Sequence, residues 1–61
     1  MIASGDVVTL TPRMRKIAVY PERYERGVVE RANSWGIVYV KWNGCDRAMM
    51  MREDELEVLN S

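Results

Sequence analysis

The sequence predicts a small all-β fold built from five short strands. Three observations predict it: short runs of β-branched and aromatic residues, glycine or proline at the ends of these runs, and an Asn-Gly pair at residues 43–44. The longest run, W-G-I-V-Y-V-K-W at residues 35–42, leads directly into that pair, which is a strong signal of a tight β-hairpin. We therefore build the other elements outward from this run.

A first strand is predicted at residues 7–11, a β-branched run that follows the turn-like residues 4–6. Pro12 ends this strand because proline has no N–H to donate to a β-ladder. Residues 12–25 are polar and contain two prolines, with a short extended segment predicted at residues 17–20. We expect a long, partly ordered loop there, and loops of this length in compact domains are often functional.

A second strand is predicted at residues 27–32 and a third at residues 36–42, with a turn at Asn33-Ser34 between them. A type I′ turn at Asn43-Gly44 follows the third strand. Alternation along the third strand assigns its residues to two faces: Val38, Val40 and Trp42 on one, and Ile37, Tyr39 and Lys41 on the other. Both faces are largely apolar, so we expect a central strand that is partly covered on each side.

The fourth strand is predicted to begin at Asp46 or Arg47 and to end at Met51. A polar run at residues 52–55 suits one tight 3₁₀ turn, and residues 56–59 form a short final strand. Alternation directs the middle residue of the Met49–Met51 run to one face and its two neighbours to the other. One set is expected to fill the core, where methionine adapts to irregular gaps. The other is either an ordinary exposed face or an adaptable surface for a partner or a second copy.

Three segments of this pattern resemble the SH3-like barrel superfamily, in its bacterial and phage members and in its KOW and Tudor-like branches. They are G-V-V-E at residues 27–30, V-Y-V-K-W-N-G at residues 38–44 and E-D-E-L-E-V-L at residues 53–59. The resemblance covers roughly residues 5–60. It implies a five-stranded SH3-like barrel with a long loop after the first strand and a 3₁₀ turn before the last. Eukaryotic SH3 domains match less well, because the paired tryptophans of their peptide groove have no counterpart.

The chain of 61 residues is expected to be one domain spanning residues 1–61, near the lower size limit for folding alone. A single cysteine cannot form an internal disulfide, and without histidine no zinc-binding set is recognisable. The core must then be efficient, or the protein must associate with a partner or with itself. The chain opens with methionine, lacks a signal peptide and has no membrane-spanning apolar run, so we expect a complete cytoplasmic protein.

The inventory of catalytic side chains is small. There is no histidine, the usual base near neutral pH, and no glycine-rich phosphate loop or Asp-rich calcium loop. The carboxylates at residues 53–57 are close in sequence and are expected to spread into solvent. Cys45 is expected to be a small residue at the start of a strand rather than a reactive thiol. We therefore expect no enzyme activity, no catalytic residue, no cofactor, no metal ion and no small-molecule substrate.

Nine basic and nine acidic side chains give a net charge of zero, which argues against a dedicated nonspecific nucleic-acid binder. The charges are unevenly placed, because residues 13–26 hold five basic and only two acidic side chains, together with two tyrosines. These basic and aromatic residues, with the tryptophan of the second turn, are the candidate partner-binding residues: Arg13, Arg15, Lys16, Tyr20, Arg23, Tyr24, Arg26 and Trp35.

A structural interpretation competes with each of these assignments. The loop can be a solvated segment whose tyrosines lie back on the sheet, Trp35 can cap an open barrel end, and Trp42 is expected in the core. Two functions stay open. The first, favoured by the zero net charge, is a small accessory protein that binds a protein partner or self-associates through exposed Met, Trp and Val side chains and edge strands. The second is a KOW-like module that binds nucleic acid, with arginine on phosphate and tyrosine stacked on bases.

Overall fold

A single antiparallel sheet of five strands organises residues 2–59, the part of the chain that the computed structural model describes. Its strands are β1 (Val7–Leu10), β2 (Gly27–Ala32), β3 (Ile37–Trp42), β4 (Met49–Arg52) and β5 (Leu56–Val58). They lie in the order β4-β3-β2-β1-β5, and no pairing between the edge strands β4 and β5 closes the described sheet. The all-β prediction is confirmed. Residues 1, 60 and 61 of the predicted domain lie outside the described part.

The strand limits agree closely with the alternation of the sequence. β2 has the predicted limits, and β1, β3 and β5 are each one residue shorter than predicted. β3 is an interior strand, because it pairs with β2 on one side and with β4 on the other. The middle strand of the five is β2. The 3₁₀ helix predicted before the last strand is confirmed at Glu53–Glu55, and the Glu53 N–H donates a 2.8 Å hydrogen bond to the Gly36 carbonyl. This bond ties the 3₁₀ helix to the turn between β2 and β3.

The connection between β1 and β2 is more ordered than the predicted loop at residues 12–25. It contains an α-helix, α1 (Pro12–Ile17), and a 3₁₀ helix at Pro21–Tyr24. Thr11 caps α1 by accepting a 3.3 Å hydrogen bond from the Met14 N–H, and proline fits the first helical position because its missing N–H is not needed there. The proline that ends the strand therefore also begins a helix. No helix in the described residues is long and apolar enough to cross a membrane.

The hydrophobic core lies on one face of the sheet. Its buried apolar residues are Ile2, Val8, Leu10, Val29, Val38, Val40, Trp42 and Leu56. The assignment of Val38, Val40 and Trp42 to a common buried face is therefore confirmed. The opposite face is the outer face of the sheet. There Tyr39 is partly covered by the Arg31 guanidinium, whose carbon lies 4.6 Å from the ring centroid.

Gly27 permits the close packing of β2 against Trp42, its partner in the β2–β3 ladder. A Cβ atom at this position would lie 2.5 Å from Val40 Cγ1 and 2.8 Å from Trp42 Cε3. Separations this short are strongly repulsive between carbon atoms, so a side chain at residue 27 would displace the core. Only glycine fits without such a shift.

The turn at Asn43-Gly44 differs from the predicted type I′ hairpin. Gly44 has φ of +88°, whereas no other residue type among those described has positive φ, so only the second central residue is left-handed. The Cys45 N–H donates to the Trp42 carbonyl at 2.9 Å. These features match a type II turn, which does not continue the strand twist as type I′ does. β4 begins at Met49, opposite Val40, and ends at Arg52, so the predicted start at Asp46 or Arg47 and the predicted end at Met51 are wrong.

Candidate functional site

The basic segment, defined here as residues 12–26, carries the predicted cluster of positive charge. All five of its basic side chains are exposed: Arg13, Arg15, Lys16, Arg23 and Arg26. Arg15 is held by a structural contact, because its Nη2 donates a 2.7 Å hydrogen bond to Oγ1 of the buried Thr9. The Thr9 hydroxyl in turn donates to the Tyr24 carbonyl at 3.2 Å. Arg15 therefore connects α1 to the sheet. Within the described residues, the side chains of Arg13 and Lys16 form no hydrogen bond and no ion pair.

The two tyrosines of the basic segment have different environments. Tyr24 is partly buried and packs edge to face on Trp42, with ring centroids 5.2 Å apart and an interplanar angle of 83°. Tyr20 is exposed, and the Arg23 guanidinium carbon lies 4.9 Å from its ring centroid. The Arg23 N–H also donates a 3.1 Å hydrogen bond to the Tyr20 carbonyl, which keeps the two residues close together. Tyr24 thus belongs to the wall of the core, and only Tyr20 is free to contact a partner over much of its surface.

Trp35 lies apart from the basic segment, in the turn between β2 and β3. The two regions adjoin opposite ends of β2. The basic segment ends just before Gly27, and the turn begins just after Ala32. Trp35 is 87% exposed, so it does not cap the end of the sheet. Its turn is ordered by Asn33, whose Oδ1 accepts hydrogen bonds from the N–H groups of Trp35 at 2.9 Å and Ile37 at 3.1 Å. The predicted set of partner-binding residues is therefore split between two regions.

An apolar groove of about 340 Å³ runs between the basic segment and β4. One side is formed by α1 and residues 18–20, and the other by Met49 and Met51, with Leu10 and Tyr24 also lining it. All of its lining residues are aliphatic, methionine or tyrosine. The basic segment thus presents an apolar side to the groove as well as its charged side chains to solvent.

The groove is rimmed by apolar side chains that a folded chain usually covers. Ile17 is 70% exposed, Val19 is 82% exposed and Met49 is 41% exposed. Met51 is partly buried against the core, whereas Met50 is exposed and pairs with Tyr39, whose side chain lies on the outer face. The predicted alternation of the three methionines is therefore confirmed, with Met49 and Met51 on the core side.

Sequence reasoning missed this groove as a site. It recognised residues 17–20 only as a short extended segment, and it named one face of the Met49–Met51 run as a possible partner surface without connecting the two segments. The two segments are about thirty residues apart, and their proximity depends on the curvature of the sheet. The only local signal was a pair of apolar residues, Ile17 and Val19, directly after a basic run.

The described residues contain few other candidate reactive or metal-binding groups. Cys45 is exposed in the connection between β3 and β4, so its predicted place at the start of a strand is wrong. No group of three or more His, Cys, Asp or Glu residues within residues 2–59 is arranged to hold a metal ion. Arg52 and Asp54 form an exposed ion pair, with Nε and Oδ1 3.8 Å apart. The groove and the basic segment are the features with a chemistry suited to recognition.

Comparison with known proteins supplies no relative for this chain. No protein-family model, curated protein or solved structure matches it.

Proposed function

We propose that the protein is a small non-catalytic interaction module with an SH3-like barrel fold. Three features support the barrel. The first two are the pairing of β1 with both β2 and β5, and the 3₁₀ helix that connects β4 to β5. A third is curvature, because Leu10 of β1 and Met51 of β4 line one groove although β2 and β3 lie between their strands. The curved sheet encloses the core and leaves the groove as the opening between β4 and α1.

The exposed apolar rim of the groove is the observation that carries the proposed function. The exposed side chains of Ile17 and Val19 contribute no hydrophobic stabilisation to the free chain. Contiguous exposed apolar surface typically marks an interaction site. The methionine side of the groove can adapt its shape, since methionine has an unbranched and flexible side chain. We therefore assign the groove to the binding of a protein partner, either another protein or a second copy.

The proposal is tested by selecting a random-peptide library on the immobilised, folded protein. We expect enriched peptides whose binding is lost in Ile17→Ser and retained in Val28→Ser. Val28 is a suitable control because it is also exposed but lies in β2 next to the buried Val29, and so on the outer face. Absence of any enriched peptide, or equal binding by both variants, would contradict the proposal.

Nucleic-acid binding is the second candidate function. It is favoured by the four exposed basic side chains of the basic segment other than Arg15, which is bonded to Thr9, and by the exposed Tyr20 ring, a group of the kind that stacks on bases. Fluorescence titration with short RNA and DNA tests it, and binding should weaken steeply as salt rises. Arg13→Ala combined with Lys16→Ala should reduce affinity for all sequences without disturbing the Arg15 contact to Thr9. Absence of binding at low salt removes this candidate.

A further inference from the structure

We propose that the groove binds an acidic amphipathic peptide segment of another protein. Such a segment has apolar side chains on one face and carboxylates beside them. The inference rests on the proposed function and deepens it by stating the chemistry of the partner. Its two supports are the composition of the groove and the charge of the segment that forms one of its sides.

The groove requires an apolar face in its partner. Apart from two tyrosine hydroxyls and the methionine sulfurs, the side chains that line it have no polar atoms. A polar group buried there would lose its hydrogen bonds to water without replacement, which is unfavourable. The volume of about 340 Å³ lies at the lower end of the range for binding sites, about 300–1,000 Å³, and suits a few apolar side chains.

The positive charge of the basic segment, which forms one side of the groove, favours acidic groups in the partner. The Arg23 guanidinium carbon lies 4.9 Å from the ring centroid of Tyr20, which lines the groove. Arg13 and Lys16 are exposed on α1, which also carries Ile17 of the groove rim. None of the five basic side chains of the basic segment forms an ion pair with a carboxylate of the described residues. Its two acidic residues leave the segment with a local charge of +3. A partner with carboxylates flanking its apolar face would therefore be attracted and oriented.

A two-fold dimer and a nucleic acid each match only one of these two properties. In a two-fold dimer the same surface meets itself, so one charge of +3 would face another. A nucleic acid would satisfy the charge but would leave Ile17, Val19 and Met49 without an apolar partner. The acidic segment at residues 53–59 of a second copy exposes Val58 and Leu59 beside its carboxylates, but its Leu56 is buried and paired with Leu10 of β1. A head-to-tail association of copies through this segment is therefore the main competing occupant, and the light-scattering measurement below detects it.

The test uses three labelled peptides of about 15 residues, a length at which an amphipathic helix can begin to form. The first has leucine on one helical face and glutamate on the flanks. The second replaces glutamate with lysine, and the third replaces leucine with serine. Fluorescence anisotropy is measured with the full-length protein, and light scattering reports its oligomeric state at the same concentrations.

We expect the glutamate peptide to bind at least about tenfold tighter than either of the other two. Lys16→Glu should weaken this binding severalfold, whereas Lys41→Glu, which changes the net charge equally from the outer face of β3, should leave it nearly unchanged. Ile17→Ser should weaken binding and Val28→Ser should not. Circular dichroism of each variant establishes that it is folded.

The contrary outcomes separate this inference from the proposed function. If the lysine peptide binds as well as the glutamate peptide and both depend on Ile17, the groove is an interaction site but its preference for acidic partners is refuted. If the serine peptide binds as well, the attraction is purely electrostatic and the groove is not used. A dimer that excludes the peptides, or an oligonucleotide that binds in their place, assigns the surface to another occupant. If no peptide from these or from the random library binds, both proposals fail.

Discussion

The guanidinium of Arg15 lies 2.7 Å from the buried hydroxyl of Thr9, at the point where α1 meets β1. Because of this contact, Arg15 is not free to bind a partner. It stabilises the position of α1, which forms one side of the groove. We expect Arg15→Ala to lower the free energy of unfolding by about 1 kcal/mol, the usual net contribution of one hydrogen bond. Arg13→Ala, on the same helix without such a contact, should change it by less than about 0.5 kcal/mol. Urea denaturation of both variants measures the difference, and equal effects would show that the contact is not stabilising.

Gly27 should tolerate no side chain. Gly27→Ala places a Cβ against Val40 and Trp42, and we expect a loss of about 1–3 kcal/mol from the strain of overpacking. Thermal denaturation measures this loss. In the double variant with Val40→Ala, which removes the atom nearest to the new Cβ, the combined loss should be smaller than the sum of the single losses. Strict additivity would contradict the proposed clash.

The two tryptophans should differ sharply in their contribution to stability. Trp42 is 1% exposed, and Trp42→Ala should cost about 3–5 kcal/mol, enough to unfold a domain of this size. Trp35→Ala should change the free energy of unfolding by less than about 0.5 kcal/mol, because the ring lies in solvent. Denaturation followed by far-ultraviolet circular dichroism compares the two. A large loss for Trp35→Ala would mean that its ring packs on the fold.

Asn33 should control the order of the turn that carries Trp35. Its Oδ1 accepts hydrogen bonds from two N–H groups, so Asn33→Ala leaves the amides of Trp35 and Ile37 without their partner. We expect both amides to exchange faster with deuterium, by about a factor of ten if the bond contributes near 1.4 kcal/mol. Ser34→Ala, in the same turn, serves as the control. Unchanged exchange at these two amides in Asn33→Ala would show that the turn is ordered by other contacts.

Strands were the most predictable part of the fold, because alternation specifies both their position and their buried face. Val38, Val40 and Trp42 were assigned correctly on that basis. The short helix α1 was not predicted because its first residue, Pro12, is also a residue that terminates strands. The turn at Asn43-Gly44 was assigned to the wrong type because the residue pair alone does not determine φ of the asparagine.

The candidate site was only partly predictable from the sequence. The basic segment was recognised from composition, but hydrogen bonding then assigned Arg15, and ring packing assigned Tyr24, to structural contacts. The groove joins Ile17 to Met49, and no local pattern reports that two such distant residues meet. Tertiary contacts of this kind depend on the bend of the whole sheet rather than on any one segment.

The central claim, that a partner binds in the apolar groove, is tested most directly by a methyl NMR titration of the protein with the glutamate peptide. Binding should shift the methyl signals of Ile17, Val19 and Met49, which line the groove, in proportion to the bound fraction. The methyl signals of Val28 and Met50, which lie on the outer face of the sheet, should stay unchanged. Shifts confined to the outer face, or no shift at any concentration, would contradict the claim.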